Sequence, residues 1–241
     1  MLLKTKGITL HSLPYGERQT IINAYTEEFG RVAYIIYGTH AKRSKLSHAL
    51  LTPLSIFNLE VEHFNTHDLQ RIHEAKREFV PTQIQYHPFK NAIALFLAEM
   101  LYRILQEAGP NRPLFDFLCR SIHWLDVAEA GIANFHLAFL MQLSTFIGIH
   151  PDATSYRPDS LFDLQGGVFT DTSPNHTNCL DRTESAAFNS LLRISYENMG
   201  LYTFTRNERT AIIRHIIDYY RLHLFDFPEI RSLAVMQEIF N

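Results

Sequence analysis

The hydrophobic rhythm of this 241-residue chain changes once, near Pro81. Before it, short stretches rich in Ile, Val, Thr, Tyr and Phe run at residues 6–11, 20–26, 31–37, 54–63 and 69–79, cut by glycine or polar clusters. Each has the composition and length of a β-strand. The alternation is clearest in the fourth, where Phe57, Leu59 and Val61 interleave with Asn58, Glu60 and Glu62, so one face is buried and the other wet. The fifth, LQRIHEAKREF, has helical as well as extended propensity and is read as a strand. Glu28-Phe29-Gly30-Arg31 predicts a tight hairpin, with Gly30 supplying a positive φ. Pro53 fits the first residue of a strand, where a missing N–H does least harm. Five short strands with hairpin links predict a small barrel, which removes exposed edges by closing on itself.

After Pro81 the period becomes helical. Ala92, Leu95, Phe96, Glu99, Met100, Arg103 and Ile104 lie in one stretch without a breaker before Gly109-Pro110. Further helices are predicted at 114–125, 132–147, 182–196, 207–224 and 232–239. Asp181 or Thr183 would cap the helix at 182–196, and Asn207 the one that follows, without a full capping box. The stretch 132–147 is apolar nearly all round, the mark of a central buried helix. Residues 150–180, with three Pro, two adjacent Gly and many short polar side chains, predict an irregular loop. The fold class that follows is α+β: a five-stranded barrel over residues 1–80 and an all-helical domain over 81–241.

Composition narrows the function classes. Hydrophobic residues make up 46% and charged residues 20%, as in an ordinary globular protein. No apolar run reaches the roughly 18 residues of a membrane span. The first residues, MLLKTKGITLHS, lack the apolar core and cleavage site of a signal peptide, so a cytoplasmic location is expected. Cys119 and Cys179, two cysteines in so long a chain, are not a disulfide framework and are expected to be reduced. Charge is uneven. Residues 1–50 carry seven Lys and Arg against three Glu, a net of +4, and the rest carry 15 against 22, a net of −7, which makes the −3 of the whole. A basic functional face near the start of the chain is implied.

Enzyme signatures are sparse. The chain holds no GxxxxGK[ST] phosphate loop, GxGxxG turn, HExxH helix or GxSxG elbow. Asn178-Cys179-Leu180-Asp181-Arg182-Thr183 superficially resembles phosphoinositide phosphatases, but the position of their phosphate-binding arginine, six after the cysteine, is Ser185. A hydrolase built on Cys179, Asp181 and Arg182 is one alternative. His176 and Cys179 have half-site spacing for a metal, with His150, Asp152 and Asp171 nearby, but a closed zinc site wants a second tight pair. No metal and no cofactor are expected.

The basic residues form the remaining constellation. Lys4 and Lys6 share parity on the first strand and so share a face. Arg18 and Arg31 stand at the starts of the second and third strands. Lys42, Arg43 and Lys45 crowd the loop after the third, and Arg71, Lys76 and Arg77 lie on the fifth, where Glu74 and Glu78 alternate with them. Cations so placed would line a groove that tracks a phosphate backbone, the interaction that supplies most non-specific nucleic-acid affinity. Tyr15, Phe29, Tyr34 and Tyr37 would either pack the core or offer stacking surfaces for bases. A barrel that binds a peptide instead, as an adaptor, is the other alternative.

These same residues carry a family resemblance. Tyr-Gly-Glu at 15–17, Thr-Glu-Glu-Phe-Gly-Arg at 26–31, and a glycine-basic-serine-basic-leucine loop running to proline over 38–53 occur in order. The run resembles the N-terminal domain of the RecO family of bacterial repair proteins, departing from it at Thr39-His40. Tyr219-Tyr220 with His223, followed by Ser232-Leu233, fits the family's ending. The resemblance implies an OB-fold followed by a helical domain. It implies binding to single- and double-stranded DNA and annealing of complementary strands. It also implies partnership with RecR and with the C-terminal tail of the single-strand-binding protein SSB, in loading the RecA recombinase. The expected setting is the bacterial cytoplasm, at the nucleoid during repair, with no membrane partner and no catalytic residue. Lys4, Lys6, Arg18, Arg31, Lys42, Arg43, Lys45 and Arg71 are then the expected DNA contacts. Arg103, Arg112 and Arg120 are candidates to rim an apolar pocket for the acidic SSB tail. Some family members hold zinc on four cysteines near residues 162–179. Here Gly166-Gly167 remain with one cysteine, so the loop is expected to be held by packing.

Overall fold

The computed structural model describes residues 2–17, 19–37, 50–64 and 66–239. The chain forms two compact units, Met1–Val127 with Ile230–Met236, and Ala128–Glu229 with Gln237–Asn241.

The first unit is built on a closed barrel. Its strands are β1 (Leu2–Tyr15), β2 (Gln19–Thr26), β3 (Gly30–Tyr37), β4 (Ile56–Glu62) and β5 (Leu69–Phe79), joined in the order β1-β2-β3-β5-β4. All neighbours are antiparallel except β3 and β5, whose parallel pairing closes the barrel. Ile22, Val32, Tyr34, Phe57, Leu59 and Val61 fill the interior. The alternation expected in β4 holds, and β5 is a strand despite its helical propensity, because its mate β4 supplies a ladder along most of its length. The first strand is far longer than residues 6–11. A bulge between Thr9 and His11 bends it, so one strand serves both β4 and β2. Pro53 does not open β4; it sits in a turn ahead of it, with Leu54 at φ +62°.

Two helices pack on this barrel within the same unit: α1 (Pro88–Ile104) and α2 (Arg112–Val127). α1 buries Phe96, Leu97, Met100 and Leu101, and α2 buries Phe115, Leu118, Ile122 and Leu125. The docking point is the β2–β3 hairpin. Gly30, at φ +67°, lies so close to the connector between the helices that a Cβ there would stand 2.2 Å from the Ala108 carbonyl oxygen. Arg31 N–H donates to that oxygen at 2.9 Å, and Tyr25 Oη donates to the Gly109 carbonyl at 3.2 Å. The hairpin glycine expected from sequence therefore has a second duty, close helix approach, that local turn rules do not reveal.

The second unit has α3 (Phe135–Phe146) at its centre, buried on nearly every face as its composition predicts. Tyr220 of α5 (Arg206–His223) reaches it, donating to the Leu140 carbonyl at 2.7 Å. Residues 150–180, expected to be irregular, instead carry a small antiparallel sheet of β6 (Leu161–Asp163), β7 (Val168–Thr170) and β8 (Cys179–Leu180), in the order β7-β6-β8. The region after the barrel is helical with this addition. Phe162 fixes the sheet by stacking on Phe188 at 4.6 Å. Asp181 caps α4 (Arg182–Leu191) with a full capping box to Glu184. Asn207 is not the cap of α5: Thr205 is, also with a full box, through Glu208. The last helix, α6, is Ser232–Ile239.

Candidate nucleic-acid interface

The outer faces of β1, β4 and β5 form one surface because their registers align: Lys4 pairs with Glu60 and Glu60 with Glu74, and Lys6 pairs with Asn58 and Asn58 with Lys76. Lys4 and Lys6 do share a face, as their parity requires. Around them, with Glu27, lies a polar depression of about 430 Å³. Two of its three described lysines are paired. Lys6 Nζ lies 2.7 Å from Glu78 Oε1, a bond that raises its pKa above the usual lysine value against the opposing effect of burial. Lys76 lies 3.3 Å from Glu74. Lys4 is the exposed cation here that makes no ion pair among the described residues.

Arg31, expected at a phosphate, lies on the outer face of β3 but is covered by α1. Its guanidinium lies 4.4 Å from the ring centre of Tyr102 on α1 and Nη1 donates to the Tyr102 carbonyl at 3.3 Å. Burial pulls its pKa below the ordinary guanidinium range. It acts as a strut between barrel and helix. Arg71 remains exposed on β5, opposite Ile35, with its guanidinium 5.7 Å from the ring centre of Tyr37. Tyr37 ends β3 and is 58% exposed. The segment that follows it in sequence carries Lys42, Arg43 and Lys45. Those three and Arg18 lie outside the described residues. The described cations are thus dispersed: Lys4 and Lys6 on the β1–β4–β5 face, Arg31 under α1, Arg71 beside Tyr37.

The aromatic candidates also divide. Tyr34 is wholly buried in the barrel, where desolvation drives its pKa far up, so it is core and no platform. Tyr15 is 50% exposed. Phe29 stacks on His63, ring centres 4.2 Å apart and planes 13° from parallel. Sequence reasoning missed His63, Phe64 and His67. The signal was there in a turn that spends aromatic rings where no core is available to bury them.

The three arginines assigned to a second pocket do not converge. Arg103 lines a groove of about 550 Å³ together with His11, Leu95, Tyr102, Arg231 and Val235. Arg112 pairs with Glu27 at 3.0 Å, and Arg120 is exposed eight residues along α2, about 12 Å further on; neither lines the groove. Arg231 was missed, since it precedes α6 and only folding brings it to α1. The link is Glu99, whose carboxylate accepts from Arg231 N–H at 3.1 Å and Ser232 N–H at 2.8 Å. In the groove His11 is held below its usual pKa by burial and by Arg103 and Arg31.

In the second unit the residues of the hydrolase alternative have structural work. Asp181 caps α4 and Arg182 is its exposed first residue. The Cys179 thiol is pushed up in pKa by burial and by Asp163, opposite to what a nucleophile needs. His176 approaches Asp163 at 3.5 Å. Among the described residues no three His, Cys, Asp or Glu side chains come together as metal donors, so the donor set does not fit a closed four-ligand zinc site.

Comparison with known proteins agrees with this architecture. Residues 1–78 match the family model for the recombination protein O N terminal domain, and residues 85–233 that for its C terminal domain. The DNA repair protein RecO of Phocaeicola vulgatus is 41% identical over 241 residues, and that of Bacteroides fragilis 42% over 242, each covering all of both chains. The DNA repair protein RecO of Flavobacterium psychrophilum is 31% identical over 243 residues, again end to end. The chain belongs to the RecO family.

Proposed function

We propose that this protein is a DNA-binding mediator of recombinational repair that binds and anneals single strands without catalysing a covalent step. Annealing asks only that backbone charge be neutralised while bases stay free to pair, and phosphate contacts do that without sequence readout. The observation that carries the reading is Arg71 over Tyr37, an exposed cation on an exposed ring at the root of the segment that holds Lys42, Arg43 and Lys45. Lys4 and Arg18 join that set as proposed contacts. Lys6 is a weaker member, already satisfied by Glu78. Arg31 belongs to the scaffold.

RecR, SSB and, through them, RecA are the proposed partners. The acidic SSB tail suits the groove of Arg103 and Arg231, where two guanidiniums stand beside apolar Leu95 and Val235. This replaces Arg112 and Arg120 as tail contacts. Charge reversal at Arg103 should abolish tail binding, and retained affinity would dismiss the placement.

The decisive experiment is a salt titration of single-stranded DNA binding. Each phosphate contact contributes about 0.7 to the slope of log affinity against log salt. Lys42→Glu with Arg43→Glu should flatten that slope by about 1.4 or more and weaken binding to all sequences alike. An unchanged slope would count against the assignment.

A further inference from the structure

We propose that the rim formed by Phe29, His63, Phe64 and His67 is a receptor for one unstacked base of a DNA strand; this rests on the DNA-binding reading above. The rim surrounds a pocket of about 500 Å³ at the end of the barrel where the β2–β3 hairpin meets the β4–β5 turn. Its rings come in two pairs. Phe29 stacks on His63, and Phe64 lies 5.1 Å from His67. Phe64 is 41% exposed, an apolar ring left in water at a pocket mouth.

Phe64 and His67 are both pinned by one side chain. Gln70, 4% exposed, accepts from Phe64 N–H at 3.0 Å and donates to the carbonyls of Phe64 at 2.7 Å and His67 at 2.5 Å. His67 N–H closes back onto the Phe64 carbonyl at 3.1 Å. One buried amide therefore fixes both ring-bearing residues, so a ligand would meet a platform already ordered. His63 Nδ1 is buried with no hydrogen-bond partner among the described residues, an atom that awaits one.

Charge selects the ligand. Among the described residues the pocket holds one carboxylate, Asp68, and one cation, Arg31, whose guanidinium is engaged by Tyr102. A phosphate would find no free cation among those described residues. Asn23 and Gln106 add amides that offer both donors and acceptors, as a base edge requires. Stacked rings with neutral amides suit a base, and the exposed cations elsewhere on the barrel suit the chain it hangs from.

The full-length protein is titrated with a mixed-sequence single strand, the same strand bearing abasic sites, and a blunt duplex. Wild type should prefer the intact strand over the abasic one by about 5- to 150-fold, the range of a single base stack. Phe64→Ala with His67→Ala should erase that preference while leaving abasic-strand affinity, duplex affinity, salt slope and thermal midpoint unchanged. Phe64→Trp alone should keep it. A preference that survives the double substitution, or is absent from wild type, overturns the pocket while the DNA-binding reading stands. A protein that binds none of the three probes overturns both.

Discussion

Gly30→Ala should be among the most damaging single-methyl substitutions in the barrel, because of what surrounds its α-carbon. The residue sits at φ +67°, where an L side chain costs about 1–2 kcal/mol. The new Cβ would stand 2.2 Å from the Ala108 oxygen and 2.4 Å from the Gly109 carbonyl carbon. Both are backbone atoms, which cannot swing aside as a side chain would. The connector between α1 and α2 must lift off the hairpin. That breaks the bonds from Arg31 N–H and Tyr25 Oη, each worth about 1 kcal/mol net. The total is about 3–4 kcal/mol. Gly16→Ala is the control, with φ +66° and nothing within 4 Å of the added carbon; only the backbone term of about 1–2 kcal/mol applies. Urea unfolding of the two variants, followed by tyrosine and tryptophan fluorescence, reads the difference as a shift in midpoint at constant slope. Equal losses would refute the claim that the hairpin is the docking point of the helices.

Other substitutions separate the roles assigned above. Thr205→Ala should cost about 1 kcal/mol in unfolding free energy through loss of the α5 cap, whereas Asn207→Ala should cost a few tenths. Glu99 would be raised in pKa by burial, but bonds from Ser232 and Arg231 and the charge of Arg103 win and hold it below its usual value. Its contribution is therefore full above the ordinary glutamate pKa of about 4.3 and is lost as pH falls through the lower folded value. Glu99→Gln should remove that part of the acid sensitivity in a pH series of unfolding curves. Arg71→Gln should lower the salt slope of single-strand binding by about 0.7, and Lys6→Gln by less, since Glu78 already neutralises it. Equal slopes for the two would contradict the division drawn between them.

The fold was legible wherever a local pattern and its burial agree. Phe57, Leu59 and Val61 announce a half-buried strand, and they line the barrel. The apolar run at 132–147 announces a buried helix, and α3 is one. One failure was decided by a distant neighbour and one by a better cap close by. Residues 150–180 are rich in loop formers, yet Phe162 finds Phe188 on α4 and three short strands form around that contact. Asn207 is a good cap by type, but Thr205 has Glu208 three residues on and takes the position.

The candidate site was less legible, for an electrostatic reason. Sequence counts charges, and a count cannot distinguish a cation that faces solvent from one that has been used. Arg31 and Arg71 look alike as strand arginines. Parity separates neither, since both point away from the barrel interior. What separates them is that α1 covers the start of β3, where Arg31 meets Tyr102, and leaves Arg71 beside Tyr37 in the open. The aromatic rim is illegible for another reason, assembly from distant segments. Phe29 was a candidate ring by itself, but a stacking receptor needs opposing rings and a brace, and those come from a turn thirty-five residues later held by Gln70. If DNA lies on this barrel, its charge and its bases are therefore read by different parts of the surface, the first by exposed lysine and arginine and the second by an uncharged rim. Salt should weaken the one and leave the other untouched.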